Sequence, residues 1–172
     1  DFVVWNRDIS SGPPSVAAWD LYGRRVGFDG QPVGNEIIVS AAAGDQSAPS
    51  VAFDGNTFLV GWIDTDPNDV FGGNNRARGR FFSAAGTGIA APFVLFESIF
   101  GRPPATVGLS FNNGNFLAFP TYAYAKITGG FQGGDIFVSF VSLVAPGIYA
   151  KPESQDITVG TPVTFTGTAH RV

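Results

Sequence analysis

The chain repeats itself. The run Val51-Ala52-Phe53-Asp54-Gly55-Asn56-Thr57-Phe58-Leu59-Val60-Gly61-Trp62 returns, weakened, as Val107-Gly108-Leu109-Ser110-Phe111-Asn112-Asn113-Gly114-Asn115-Phe116-Leu117-Ala118-Phe119. A fixed period means that one supersecondary unit is used several times, which limits the architecture before any single side chain is weighed. Trp5, Trp62 and Phe119 mark the period, each 57 residues after the last. Gly23-Arg24-Arg25-Val26 ahead of Asp29-Gly30 lies 56 residues before Gly79-Arg80-Phe81-Phe82 ahead of Ala85-Gly86.

Each unit reads as four short strands. A leading strand falls at 49–54 and 104–110, and an aromatic strand at 2–6, 57–63 and 115–119. A Gly-Arg strand follows at 19–28 and 76–83, with 135–143 as its third copy, and an outer strand at 35–40 and 92–97. The alternation of apolar and polar residues is that of half-buried strands. Asp54-Gly55-Asn56 and Asn112-Asn113-Gly114-Asn115 supply residues that tolerate positive φ between the strands of a hairpin. Antiparallel meanders are expected. The 23 Gly, 12 Pro and 17 Phe, with only 14% charged residues, fit short strands and tight turns with helices nearly absent. At 172 residues the chain holds one core or a row of small ones.

The residues Val16-Ala17-Ala18-Trp19-Asp20-Leu21-Tyr22-Gly23-Arg24-Arg25-Val26, Ile38-Val39-Ser40, Ala43-Gly44-Asp45-Gln46, Val51-Ala52-Phe53-Asp54-Gly55 and Phe58-Leu59-Val60-Gly61-Trp62-Ile63-Asp64 resemble a family of bacterial and archaeal secreted β-propeller-like repeats. The likeness covers residues 1–64 well and fades afterwards: Phe119 replaces the Trp, Pro120 follows it, and Val138-Ser139 replaces Gly-Arg. The resemblance implies an all-β chain of propeller-like antiparallel four-stranded repeats, about two and a half blades, not closed within one chain. It also implies an address outside the cell, but no single activity. Residues 1–151 form the expected repeat domain. Residues 152–172 form a β-strand tail that looks like the opening of an immunoglobulin-like or PKD-like domain.

Counting strands assigns the tail a second role. The first unit begins at its aromatic strand, and the third shows no outer strand after 143, so two places in the sheets await strands. The tail carries two alternating Thr/Val-rich segments, 155–159 and 162–168. An open strand edge is a template for another chain, and strand addition supplies main-chain hydrogen bonds with side-chain pockets for register. The expectation is a self-assembling subunit of a filament or surface layer. Ile157, Val159, Val163 and Phe165 are its donor anchors, and Phe2, Val3, Val4 and Trp5 its receiving edge. The rival is a carbohydrate-binding or adhesive module of a larger secreted protein.

Other classes find less support. The net charge of -4 with scattered Arg residues gives no footprint for nucleic acid. With no Cys there is no disulfide or thiolate metal site, and no apolar run reaches the ~20 residues of a membrane span. The absence of Met, even at position 1, is read as a processed chain or a fragment, as for a secreted protein that has lost its signal peptide. Asp64, Asp66, Asn68 and Asp69 place oxygens at alternating positions as a calcium loop does, without Gly at the sixth position or Glu at the twelfth; an acidic hairpin loop is the plainer reading. The single histidine, His170, has no relay partner in sequence, and the carboxylates Asp29, Asp54 and Asp135 read as turn formers, so no enzyme and no cofactor are expected. Trp5, Trp62, Phe58, Phe116 and Phe119 are expected in the core. Tyr122-Ala123-Tyr124-Ala125 would suit either a sugar-stacking face or an inter-subunit contact.

Overall fold

The computed structural model describes residues 1–10, 18–65, 75–98, 103–112, 114–122 and 138–141. Among them there are ten strands and no helix. Sheet 1 holds β1 (Phe2–Asp8), β2 (Trp19–Val26) and β3 (Pro32–Ser40). Sheet 2 holds β4 (Gln46–Phe53), β5 (Thr57–Asp64), β6 (Arg76–Ser83) and β7 (Phe93–Phe96). Sheet 3 holds β8 (Pro104–Asn112), β9 (Asn115–Tyr122) and β10 (Ser139–Val141). Strands neighbour in chain order and pair antiparallel throughout, and no sheet closes on itself. Among the described residues the strands lie where the alternation puts them; of the expected strand 135–143 only residues 138–141 are described. The turns form as their residues dictate: Asp54 Oδ1 accepts from the amides of Asn56 at 2.8 Å and Thr57 at 2.6 Å, with Gly55 at φ 101° between them.

Sheet 2 is the middle layer of a stack, which follows from the composition of β5. Of its eight residues only Asp64 escapes burial, the pattern of a strand covered on both faces. Phe58, Val60 and Trp62 pack with Phe82 toward sheet 1, against Phe2, Leu21 and Val39. Leu59 and Ile63 pack with Ala77, Phe81 and Leu95 toward sheet 3, against Val107, Phe116, Ala118 and Val141. Gly61 and Gly79 are cross-strand partners on this second face. A Cβ on Gly61 would stand 3.2 Å from both Val107 and Leu109, so the missing side chain is what admits β8. The leading strands mediate the stacking: β4 lies against β1 and β2, and β8 against β4 and β5.

The expected core aromatics separate here. Phe58, Trp62 and Phe116 are buried, but Phe119 is 37% exposed and Trp5 only half-buried. Trp5 lies on the face of sheet 1 turned away from sheet 2, since its neighbours Phe2 and Val4 take the inner face. For Phe119 the reason is register. The structure superposes Phe58-Leu59-Val60 on Phe116-Leu117-Ala118, a spacing of 58, because Phe116 and Ala118 face sheet 2 as Phe58 and Val60 face sheet 1. Phe119 thus occupies the place of Gly61, and Pro120 that of Trp62. A slip of one residue exchanges the faces of a strand, so the 57-residue spacing holds from Trp5 to Trp62 and not beyond.

Candidate functional site

The first candidate surface is the outer edge of β1. Asp1 and Val26 exchange both backbone hydrogen bonds, at 2.9 and 3.0 Å, and the Ile9 amide donates to Ala18 at 2.8 Å. Hydrogen-bonded pairs alternate along an antiparallel ladder, so Asp1, Val3, Trp5, Arg7 and Ile9 direct their backbone groups at β2. Phe2, Val4 and Asn6 direct theirs away, and no described strand pairs there. Of the four expected edge residues, Phe2 and Val4 offer main-chain donors and acceptors to an incoming strand. Val3 and Trp5 offer side chains on the outer face. Asn6 was not foreseen, although the alternation that selects Phe2 and Val4 selects it too.

Edges invite pairing, and other edge strands carry protective features that β1 lacks. β3 has register shifts at Leu21/Tyr22 and Gly23/Arg25. β4 has one between Ser47 and Ser50, with Ala48 at φ 49°. β8 has one between Pro104 and Thr106, and β7 is only four residues long. β1 runs seven residues without bulge or proline and begins Phe-Val-Val-Trp. At its start an open groove of about 440 Å³ lies between β1 and β4, lined by Phe2, Arg25, Phe28, Val51, Phe53 and Phe58. Phe53 stacks on Phe58 with ring centroids 4.2 Å apart, while Phe28 is fully exposed.

The second candidate surface is the outer face of sheet 1. Val3 and Ile38 are exposed there, at 49% and 57%, beside Trp5 and Tyr22, which stack across the ladder at 6.5 Å. Arg7 covers the Tyr22 ring at 4.2 Å and forms a bidentate ion pair with Glu36. The hydrogen bond from Arg7 holds the Glu36 carboxyl below its ordinary range, and Glu36 in turn raises the Arg7 guanidinium. On the opposite end of the stack, the outer face of sheet 3 exposes Phe119 and Phe140 beside Leu117.

The remaining sequence-based candidates are distributed as follows. Ile157, Val159, Val163 and Phe165 lie outside the described residues, as do Asp66, Asn68, Asp69, Tyr124 and His170. Asp64 is described, and both its oxygens are engaged. Oδ1 accepts from Gln46 Nε2 at 3.2 Å, and Oδ2 lies 2.5 Å from Arg78 Nε. That approach lacks an aligned N–H, so its attraction is Coulombic. No group of three or more His, Cys, Asp or Glu converges among the described residues. No described helix is long and apolar enough to cross a membrane. The arrangement offers main-chain pairing and apolar stacking.

Comparison with protein-family models, with curated proteins and with solved structures finds no match to this chain.

Proposed function

We propose that this protein is an extracellular structural subunit built of propeller-like four-stranded repeats, which assembles into a filament or surface layer by lending a β-strand to an identical neighbour. The observation that carries the reading is the edge of β1, which begins Phe-Val-Val-Trp and runs seven residues without the register shifts of β3, β4 and β8 or the shortness of β7. Supporting it, β5 receives β4 on the corresponding edge of sheet 2. A strand laid beside β1 would satisfy Phe2, Val4 and Asn6 as β4 satisfies β5. In this reading residues 152–172 are the donor. Ile157, Val159, Val163 and Phe165 alternate in sequence, so that as an added strand the tail would offer one apolar face to the groove lined by Phe2, Val51, Phe53 and Phe58.

The test is electron microscopy of the untagged protein at several concentrations, beside a chain lacking 152–172 and a synthetic peptide of that segment. Regular filaments or rings from the full chain, none from the shortened one, and binding of the peptide to the shortened chain are expected. Undiminished assembly of the shortened chain overturns strand donation. Isolated particles at every concentration, with sugar-dependent stabilisation, would move the reading to an adhesive or carbohydrate-binding module.

A further inference from the structure

We propose that the outer face of sheet 1 is a docking surface for the outer face of sheet 3 of a second copy, so that the sheet stack inside each chain continues from chain to chain. The inference rests on the reading of the protein as a self-assembling subunit and adds the surface by which sheets stack.

Two arginines at equivalent places in the repeat differ in what they reach. Arg80 Nε donates to the carbonyl of Ala90, ten positions on, at 3.1 Å. Its Nη1 crosses to the preceding sheet and donates to the carbonyl of Val39 in β3 at 3.0 Å. Arg24 stands 56 residues earlier at the same place in sheet 1. Its Nε and Nη2 donate to the carbonyl of Gly34, again ten positions on, at 3.1 and 2.8 Å. Its Nη1 has no hydrogen-bond partner among the described residues. The guanidinium is therefore held much as that of Arg80 is, on the face of sheet 1 beyond which no described sheet lies.

The apolar residues repeat the relation. Val3 and Trp5 are the counterparts of Val60 and Trp62, and in sheet 2 that pair is buried by the inner face of sheet 1. The same face in sheet 1 leaves Val3 and Ile38 about half exposed. What covers Val60 and Trp62 is a following face of a sheet of this kind. The described face of that type left uncovered is that of sheet 3, with Leu117, Phe119 and Phe140. The two faces are different, so the contact is head-to-tail and propagates, as a heterologous interface does. It is also distinct in direction from strand addition, which acts along the β1 edge, in the plane of the sheet.

The experiment uses full-length chains carrying Ile38→Asp, Phe140→Asp or Arg24→Gln, with association read by sedimentation velocity and folding by thermal unfolding. Ile38 and Phe140 are exposed, so both Asp variants are expected to fold as the parent does; Ile38→Ser and Phe140→Ser are the milder pair should either fail. Each Asp variant alone is expected to lose assembly along the stack, and Arg24→Gln to weaken it roughly five- to tenfold, one hydrogen bond's worth. Mixed one to one with excess 152–172 peptide to occupy the β1 edge, Ile38→Asp and Phe140→Asp chains each retain one intact stacking face and give a complex that stops at two chains. The 152–172 peptide separates the two proposals: an Ile38→Asp chain that still binds it has lost stacking with strand addition intact. If the parent assembles and no chain binds the peptide, strand donation fails while stacking stands on the mixing result. Parent-like assembly of Ile38→Asp, an absence of two-chain complexes in the mixture, or a parent chain that stays monomeric because its own residues cover the face each overturns the stacking proposal.

Discussion

Sheets 1 and 2 are built from the same unit and meet different fates. Trp62 is wholly buried, yet Trp5, its counterpart, is half-exposed; Arg80 bridges two sheets where Arg24 reaches only its own. Sequence does not separate them, because Val-Val-Trp and Val-Gly-Trp are equally apolar. Position in the stack does. A strand in a two-faced layer acquires its burial from its neighbours, so the repeat prescribes the surface and the count of layers decides which copy is core.

The largest expected effect tests that difference directly. Trp62→Ala removes a fully buried indole between two sheets and should cost about 3–5 kcal/mol of stability. Trp5→Ala should cost less than about 1.5 kcal/mol in the dispersed chain, since roughly half the burial is forgone. Urea unfolding of both variants measures the contrast, and equal losses would deny that sheet 2 alone has two covered faces. Trp62→Phe sharpens the point. The Trp62 Nε1 is buried with no hydrogen-bond partner among the described groups, so the ring change removes an unmet donor along with some volume. Its cost should fall well below that of the Ala variant.

Next comes the pair that exposed the register. Gly61 and Phe119 occupy the same place in sheets 2 and 3. Gly61→Val would press methyl groups onto Val107 and Leu109 and should destabilise by about 1–3 kcal/mol. Phe119→Ser acts on a face with no described sheet beyond it and should cost under about 1 kcal/mol. Chemical unfolding reads both. A large loss from Phe119→Ser in dispersed protein would place Phe119 in an intramolecular core after all.

That pair also shows where legibility ended. The strands and hairpins could be read because each depends on neighbours in sequence: alternation for the strands, Asp54-Gly55 and its relatives for the turns. The 57-residue spacing of Trp5 and Trp62 was likewise visible and holds. The step to Phe119 does not hold, because the strand register follows the match of Phe116-Leu117-Ala118 to Phe58-Leu59-Val60 and not the aromatic residue at the next multiple of 57. One residue of slip is invisible in a spacing count and decisive for a strand face. On the edge of β1, the sequence indicated the strand, but not which residues aim their backbone outward. That depends on which pairs in the β1–β2 ladder are hydrogen-bonded. Arg24 and Arg80 could be aligned from their Gly-Arg context, whereas the crossing bond to Val39 exists only once two sheets are stacked.

A smaller effect follows from those two arginines. Arg80→Gln removes the bonds to Ala90 and Val39 and Arg24→Gln only those to Gly34, so the first should cost about 1 kcal/mol more than the second in the dispersed chain. Thermal unfolding at low protein concentration measures both. Equal losses would mean that Arg24 already serves an intramolecular contact across the sheet face.

The smallest contrast concerns two ion pairs, Arg78 with Asp64 in sheet 2 and Arg7 with Glu36 on the outer face of sheet 1. The first is largely buried on its acid side; the second stands open to water, where screening keeps such pairs weak. Arg7 nevertheless lowers the Glu36 pKa from its ordinary 4.5. A carboxyl whose folded pKa is depressed contributes stability that is present above the unfolded value and is lost as pH falls through the folded one. Glu36→Gln should therefore remove a small increment of stability at neutral pH, present in the parent above pH 4.5, and leave the acid limb below that pH slightly flatter. Asp8, whose carboxyl is also lowered by its bonds from the Ser10 hydroxyl and amide, carries the same sign and remains in the variant as an internal reference. The comparison sharpens in assembled protein: a sheet docked over Tyr22 and Ile38 would shield the Arg7–Glu36 pair from solvent. The acid sensitivity attributable to Glu36 should then grow with assembly, and an acid limb identical in dispersed and assembled protein would count against a covered face.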